Sequence, residues 1–504
     1  MFNIPEVNVI KKNWRQVELR IALCYPNVYR AGMSGLTIQL LYALFNSRED
    51  VVCERFFLPT ENEPLLSLES NQPLNRFNVL AFSFQYEEDY LKALQMLLNS
   101  GVELDRKRRA GRPIIIAGGP CITENPEPLR DFFDIFIIGE VEPILDDLIN
   151  EIKVSVEKRE VENFKGRRGF LTPEDETVHR IWLKNLDDGP HPIAQVIPKV
   201  EPNSPYQPIF GDVFTVEVVR GCARRCKFCL MGAIGRPIRE RSLANVKEII
   251  DEGLKHTPTT KVSLIGAGIS DYSKLEEVCE YIIDRELEIS IPSLSVNRIN
   301  ENLIRLLVKG KQRTISIAPE TGSQELRKQI YKNIKNEQIL DAAKIAYKEG
   351  VKNLKMYFII GLPDETEEDV KAIAKLSKQV ASTGFGRRAV RVSINPLIPK
   401  PHTSFQFLDF KSSSYLKTSF KKIEKELHGD ARFRIEILDI NHAKFQAALS
   451  RGDRKLGTAL SKAARYGGGM GGLRRALKEE KLSLESYLSD LKPTGSFPWS
   501  NIYV

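Results

Sequence analysis

Histidine is scarce in this sequence: six occur in 504 residues, and none before His179. The first third of the chain therefore offers no imidazole to a metal or cofactor. Long apolar runs are absent too. No stretch of eighteen uncharged apolar residues occurs, and the opening MFNIPEVNVIKKNW lacks the apolar segment of a secretory signal, so no membrane role and a cytoplasmic location are expected. Seven cysteines are too few for a disulfide framework in so long a chain. Three of them, Cys222, Cys226 and Cys229, crowd into eight positions, a spacing that suggests metal ligation in a reducing compartment. Cys24, Cys53, Cys121 and Cys279 each lie in or beside an apolar stretch and read as buried thiols.

An apolar content of 42% supports globular folding, and the length favours two or three domains. The net charge of +8 is uneven: positions 401–504 hold 18 Lys and Arg against 11 Asp and Glu. This basic excess allows a nucleic-acid partner. Solvated helix faces explain it more simply, because no aromatic-plus-basic recognition motif accompanies the charge.

From about residue 18 to 150, the apolar runs ELRIALCYP, VVCERFFLP, NVLAFSFQ, PIIIAGGP and DIFIIGE alternate with helical patterns. This predicts an α/β, doubly wound Rossmann-like domain over 1–150, with a ligand crevice beyond the carboxyl ends of its strands. Gly118, Gly119 and Gly139 fall at those ends. Residues 151–212 turn charge-rich and proline-rich and read as a linker or arm. A second alternation over 213–404, with FTVEVVR, KVSLIGAG, EISIPSLS, TISIAPE, NLKMYFIIGLP and AVRVSINPLIP as strands, predicts a partial TIM-type (β/α)6 barrel, whose chemistry belongs at the strand C-termini. Residues 405–504 hold one strand, FRIEILDI, and helical text broken at YGGGMGG, and read as a small helical, basic accessory domain.

The first barrel strand runs into RGCARRCKFC, a C-x-x-x-C-x-x-C loop at the face where a barrel keeps its active site. A [4Fe–4S] cluster normally takes four thiolates, so three leave one iron open for chemistry. A zinc knuckle or an electron-transfer cluster would need a fourth ligand. Cys279 lies on a predicted helix away from the strand ends, and His256 ends a different helix.

With Phe228 before the last cysteine, this loop resembles the signature of the radical S-adenosylmethionine (radical SAM) superfamily. The resemblance implies that S-adenosylmethionine chelates the open iron and is cleaved to a 5′-deoxyadenosyl radical, with electrons from a donor such as flavodoxin or ferredoxin. It also implies cofactor contacts from Gly266, Ala267 and Gly268 after the second strand, from Glu320 after the fourth, and from Gly361 and Pro363 after the fifth. Thr321 or Ser323 would cap the following helix. The segments YPNVYRAGMSGLTIQLLY, GGPCITENPEP, IIGEVEP, INPLIPKPHTSFQ, SRGDRKLG and FPWSNI narrow the likeness to an uncharacterised family with an N-terminal cobalamin (B12)-binding-like domain. There Tyr29, Gly32, Gly118, Gly119 and Gly139 would approach the corrinoid. The D-x-H-x-x-G motif of many such domains is missing, its place taken by YPNVYRAGMSG, so cobalamin would bind without a histidine or the domain would be a scaffold only.

The expected function is therefore radical chemistry on an unknown substrate, with cobalamin in methyl transfer or rearrangement at an unactivated carbon. The alternatives are a methylthiotransferase-like RNA-modifying radical enzyme and a non-catalytic iron–sulfur protein. Substrate identity and catalytic residues cannot be read from the chain.

Overall fold

The computed structural model describes residues 4–59, 63–109 and 111–504. Near-continuous apolar strands need cover on both faces, which parallel pairing between helices supplies. Strands β1 (Leu19–Val28), β2 (Val51–Leu58), β3 (Val79–Ser83), β4 (Ile114–Gly118) and β5 (Ile135–Ile137) form one sheet in the order β2-β1-β3-β4-β5. These pairings are all parallel, and the short β6 (Phe170–Leu171) joins the far edge antiparallel to β5. Alternating side chains split between two cores. Ile21, Leu23, Val79, Ala81, Ile114 and Ile116 meet helices Leu36–Asn46 and Leu145–Lys158. Ala22, Cys24, Leu80, Phe82, Ile115 and Ala117 meet helix Asp89–Asn99.

The far end of the chain completes this second face. Helices Arg454–Arg465 and Gly469–Glu479 bring Leu456, Leu460, Leu473 and Leu477 into the core that holds Leu94 and Leu97. Gly457 permits the approach, since a Cβ there would stand 2.3 Å from the Pro128 carbonyl oxygen. Several basic residues of this region form ion pairs: Lys462 with Glu480, Arg475 with Glu479 and Lys444 with Glu485.

The second sheet system is an arc of parallel strands. β7 (Phe214–Glu217), β8 (Lys261–Ile265) and β9 (Glu288–Ser290) pair in order. β10 (Thr314–Glu320), β11 (Asn353–Ile360), β12 (Val390–Pro396) and β13 (Phe433–Ile437) continue it. The Leu294 amide donates to the Ser316 carbonyl at 2.8 Å and carries the arc across the join. Among the described residues β7 and β13 do not pair, so the barrel is partial. Its outer helices contribute Val246, Val278, Ile304, Ala342, Ile373 and Ile423 to one core. FRIEILDI is β13, a seventh barrel strand. Helix Ser413–Leu427 supplies the crossover that its parallel pairing with β12 requires.

Residues 151–212 strap the molecule together. They begin inside helix Leu145–Lys158 and supply β6. Val178–His179 pairs in parallel with Ile502–Tyr503, and Ile197–Pro198 pairs antiparallel with Glu6–Val7.

Candidate functional site

Beyond β7 the chain must turn sharply into the cysteine loop, and Gly221 does so at φ +81°, with its Cα side pressed on the Gly235 carbonyl. Cys222, Cys226 and Cys229 then line one cavity of about 160 Å³ together with Arg224, Phe228, Ala267, Gly268, Glu320 and Lys332. Cys222 is buried; Cys226 and Cys229 are half-buried, and burial raises both their thiols. Arg224, between the first two cysteines, donates to both Asp271 oxygens at 2.8 and 3.0 Å and to Ser295 Oγ, which pins the loop to the ends of β8 and β9. The Lys227 amide donates to the Ile330 carbonyl at 3.2 Å. No set of three or more His, Cys, Asp or Glu among the described residues converges on a single-ion site, and Cys279 is buried within helix Leu275–Ile283. Three thiols around a shared cavity, with no further cysteine and no histidine among the described residues that line it, suit a cluster whose irons occupy separate corners and leave one of them open.

Glu320 ends β10 at φ +68°, a strained conformation for a residue with a side chain. Its carboxylate accepts from Lys332 Nζ at 2.9 Å, and the two side chains are 10% and 13% exposed. Burial pushes the Glu320 carboxyl up, and Lys332 offsets part of that. Ser323 caps helix Gln324–Gln329 by accepting from the Leu326 amide. Ala267 and Gly268 border the cavity, but Gly266 does not. A Cβ at Gly266 would stand 2.4 Å from the Val219 carbonyl oxygen, so this glycine serves strand contact. Gly361, at φ +84°, donates its amide to Glu365 Oε2 at 2.6 Å, and with Pro363 it lies outside the lining. Phe228 rests on the apolar cluster of Leu326, Ile330, Leu362, Leu397 and Phe405.

A second cavity, of about 390 Å³, opens at the carboxyl ends of the N-terminal strands. It runs between one sheet face (Leu23, Ala81, Ile116) and the two covering helices (Leu40, Phe45, Ile152). Gly118, Gly119 and Gly139 border it. Gly119 (φ +110°) and Gly139 (φ +113°) are also required by the backbone, since a Cβ would meet Phe84 O at 2.3 Å and Ile181 O at 2.0 Å. Tyr29 and Gly32 stand elsewhere: the Tyr29 hydroxyl donates to Glu6 Oε1 at 2.6 Å inside the core, and Gly32 abuts Phe57. No histidine lines this cavity. Its outer wall comes from the barrel, through Glu217, Arg220, Met231, Ile234 and Ile265. Helix Leu230–Ile234 begins directly after Cys229, its N-cap, and so lies between the two cavities.

The sequence model described as "Radical SAM proteins, N-terminal" matches residues 37–172, and that of the "Radical SAM superfamily" matches 216–377. An uncharacterized protein of Methanocaldococcus jannaschii is 35% identical over 482 residues, covering 96% of this chain and 98% of its own. The chain belongs to the radical SAM superfamily. As a radical SAM protein it is an enzyme that uses a [4Fe–4S] cluster and S-adenosylmethionine. Other relatives match about half of it: an uncharacterized methyltransferase of Pyrococcus horikoshii (28% identity, 53% of this chain and 58% of that one) and a putative methylthiotransferase of M. jannaschii (26%, 55% and 60%). Two solved folds resemble the radical SAM protein. The methyltransferase TsrM of Kitasatospora setae, with cobalamin and a [4Fe–4S] cluster bound, gives a TM-score of 0.59 at 13% identity over 91% of this chain and 99% of that one. OxsB, a cobalamin-dependent S-adenosylmethionine radical enzyme, gives 0.53 at 15% identity over 81% and 55%. The doubly wound domain followed by a partial barrel is the fold they share with it. No helix among the described residues is long and apolar enough to cross a membrane.

Arg224, Asp271, Ser295 and Lys332 carried no sequence signal. Lys332 lies twelve positions beyond Glu320, and only the short helix Gln324–Gln329 returns it to the cavity.

Proposed function

We propose that this radical SAM enzyme works with cobalamin to methylate or rearrange an unactivated carbon. One observation carries the reading: helix Leu230–Ile234, which starts at Cys229, gives Met231 and Ile234 to the wall of the N-terminal cavity, so the cluster loop and that cavity adjoin. When bound, the cluster with S-adenosylmethionine supplies a carbon-centred radical, and cobalamin supplies a transferable methyl group. Cys222, Cys226 and Cys229 hold the cluster. Ala267 and Gly268 admit S-adenosylmethionine closely, Phe228 packs beneath the loop, and Glu320 with Lys332 orients its polar groups. Gly361 and Pro363 act at one remove, by shaping the end of β11. Gly118, Gly119 and Gly139 form the corrinoid's ledge, and no imidazole reaches it. Tyr29 and Gly32 support that ledge from the core behind β1. The domain limits 1–150, 151–212, 213–404 and 405–504 serve as working boundaries, with β13 functioning as part of the barrel. A flavodoxin or ferredoxin supplies electrons in a reducing, cytoplasmic setting. An RNA substrate is less favoured, because the basic C-terminal helices bury one face on the N-terminal sheet and pair many charges internally.

The test is anaerobic reconstitution with iron, sulfide and hydroxocobalamin, followed by reduction and addition of S-adenosylmethionine. Release of 5′-deoxyadenosine and retention of about one corrinoid per chain are expected. Iron-loaded, reduced protein that cleaves no S-adenosylmethionine would overturn the radical assignment. Protein that holds no corrinoid at micromolar concentration would overturn the cobalamin part.

A further inference from the structure

Of the three thiols around the 160 Å³ cavity, one stands beside an exposed surface. Cys222 is buried, and Cys229 N-caps helix Leu230–Ile234, which leads to the wall of the N-terminal cavity. Cys226 is half-buried, and its Sγ lies 4.0 Å from the carbonyl oxygen of Tyr331. Tyr331 follows helix Gln324–Gln329 at φ +59°, a conformation unfavourable for a residue with a β-carbon, yet its side chain is spent on no core. It is 56% exposed and packs into no apolar cluster among the described residues. Its ring instead meets the cysteine loop, with Lys227 Nζ 4.6 Å from the ring centre. The rim around it is basic. Residues 223–229 hold Arg224, Arg225 and Lys227 and no carboxylate. Arg224 is bound to Asp271, but Arg225, Lys227 and Lys328 form no ion pair among the described residues. Arg225 and Lys328 are exposed. Lys328 lies one turn before Tyr331, whose amide donates to the Lys328 carbonyl at 3.1 Å. Glu325, in the first turn of the same helix, pairs with none of these cations.

An electron must reach the cluster before S-adenosylmethionine is cleaved, and electron transfer between proteins falls steeply with the distance between their redox groups. A carrier protein therefore has to dock where a cluster ligand comes close to the surface. Complexes of this kind bury little area and turn over fast, so charge complementarity brings the partners together. A basic rim selects an acidic partner, and an exposed aromatic ring at its centre supplies contact area. We propose that the surface formed by Arg225, Lys227, Lys328 and Tyr331 is the docking site of an acidic one-electron carrier protein, with the electron entering through Cys226. This rests on the reading above that a carrier protein supplies the cluster's electrons. In each encounter the reduced carrier loses one electron and the oxidised cluster gains it, and no bond is made or broken.

The test follows the bleaching of the cluster's visible absorbance in the iron-loaded full chain, before S-adenosylmethionine is added. Two donors are compared: fully reduced flavodoxin, an acidic carrier protein, and photoreduced 5-deazaflavin, a small donor with no protein interface. Charge reversal in the Arg225→Glu, Lys328→Glu double variant slows reduction by flavodoxin roughly tenfold or more at low salt and leaves the deazaflavin rate unchanged. Added salt slows the wild type towards the rate of the variant. An Arg474→Glu, Lys478→Glu double variant, on the helix that roofs the N-terminal sheet, makes the same change in net charge and keeps the flavodoxin rate within about twofold of the wild type. Should Arg225→Glu lower the iron content, Lys328→Glu alone, outside the cysteine loop, decides by the same comparison. A flavodoxin rate unchanged by charge reversal overturns the assignment, as does an equal loss with both donors or an equal loss in the Arg474, Lys478 variant. Failure of the underlying readings looks different. A wild-type cluster that deazaflavin reduces and flavodoxin does not rejects the carrier protein and this site with it. A cluster that both donors reduce, but that then cleaves no S-adenosylmethionine, rejects the radical chemistry while the docking site stands or falls on the rates already measured.

Discussion

Lys400 joins the two halves of the molecule through buried charge, and removing it should have a large and pH-dependent cost. It follows β12 and pairs with Glu87, beyond β3, and at 3.4 Å with Glu124, beyond β4. The two carboxylates are 2% and 0% exposed. Gln446 Nε2 donates to Glu87 at 2.9 Å, and His402 Nε2 contacts the Glu124 carbonyl at 3.0 Å. Breaking a buried ion pair from one side costs about 3–5 kcal/mol, and here Lys400→Met would strand two carboxylates at once. Burial works to raise Glu87, yet the charge and hydrogen bond of Lys400 hold it below its usual value of 4.5, so its contribution is present at neutral pH and fades in acid. Burial raises Glu124 well above 4.5; its contribution is present in acid and is lost as the pH rises. Without Lys400 both carboxyls rise, so the deficit should be largest at neutral pH and shrink as the pH falls towards 4.5. Urea unfolding of the wild type and Lys400→Met at both pH values measures it. A deficit under about 1 kcal/mol at neutral pH, or one that does not change with pH, would refute the argument that this cluster is held by its charges. Because the same contact sets the barrel against the N-terminal strand ends, corrinoid affinity should fall in parallel.

Cys226→Ala should abolish binding of the [4Fe–4S] unit, read as iron and sulfide per chain; undiminished content in the Cys222, Cys226, Cys229 triple alanine variant would remove the cluster from this loop. Glu320→Ala frees Lys332 and should weaken S-adenosylmethionine about tenfold while the iron content stays constant, checked by equilibrium dialysis. Gly118→Leu should fill the N-terminal cavity and erase the corrinoid spectral shift without unfolding the protein, because its Cβ position meets only Ile137 Cβ, at 3.7 Å. Gly119→Val should instead unfold the domain, since its Cβ would meet Phe84 O at 2.3 Å; equal melting temperatures for these two variants would contradict the distinction. Burial raises Glu365 from 4.5 to about 7, a shift that the Tyr415 and Gly361 hydrogen bonds only partly offset. Its stabilising contribution is therefore full below 4.5 and lost as the pH rises through about 7. Glu365→Gln should flatten the melting temperature across that window, and an unchanged pH profile would exclude this role.

The sequence by itself determined the strands and the cysteine loop. Apolar runs such as PIIIAGGP and DIFIIGE are buried on both faces, so composition and flanking helical periodicity suffice to mark them as parallel strands; each is found where it was read. The C-x-x-x-C-x-x-C spacing is local, so its three thiols had to share one loop. Helices Leu243–His256, Leu275–Ile283 and Asn336–Lys348 fill the stretches between the barrel strands, and each buries an apolar stripe that is already present in its sequence.

Only the tertiary structure decided which strand ends meet and which charges find partners. FRIEILDI carries no mark that distinguishes a barrel strand from an accessory one; its place beside β12 follows from the crossover helix before it. Nothing in SRGDRKLG or YGGGMGG announces that their helices roof the N-terminal sheet more than 300 positions away, because it is the fold that brings Leu456 and Leu473 into the same core as Leu94. Glycine was equally ambiguous in sequence. Gly119, Gly139 and Gly266 are required by neighbouring backbone, whereas the Cβ position of Gly118 faces nearly open space. Nothing in the sequence sets Arg180, Lys332 and Lys400 apart from the other cations, and only the fold leaves their side chains 5%, 13% and 12% exposed. A side chain's charge is a property of the sequence, but the desolvation that turns that charge into a site depends on what the fold places around it.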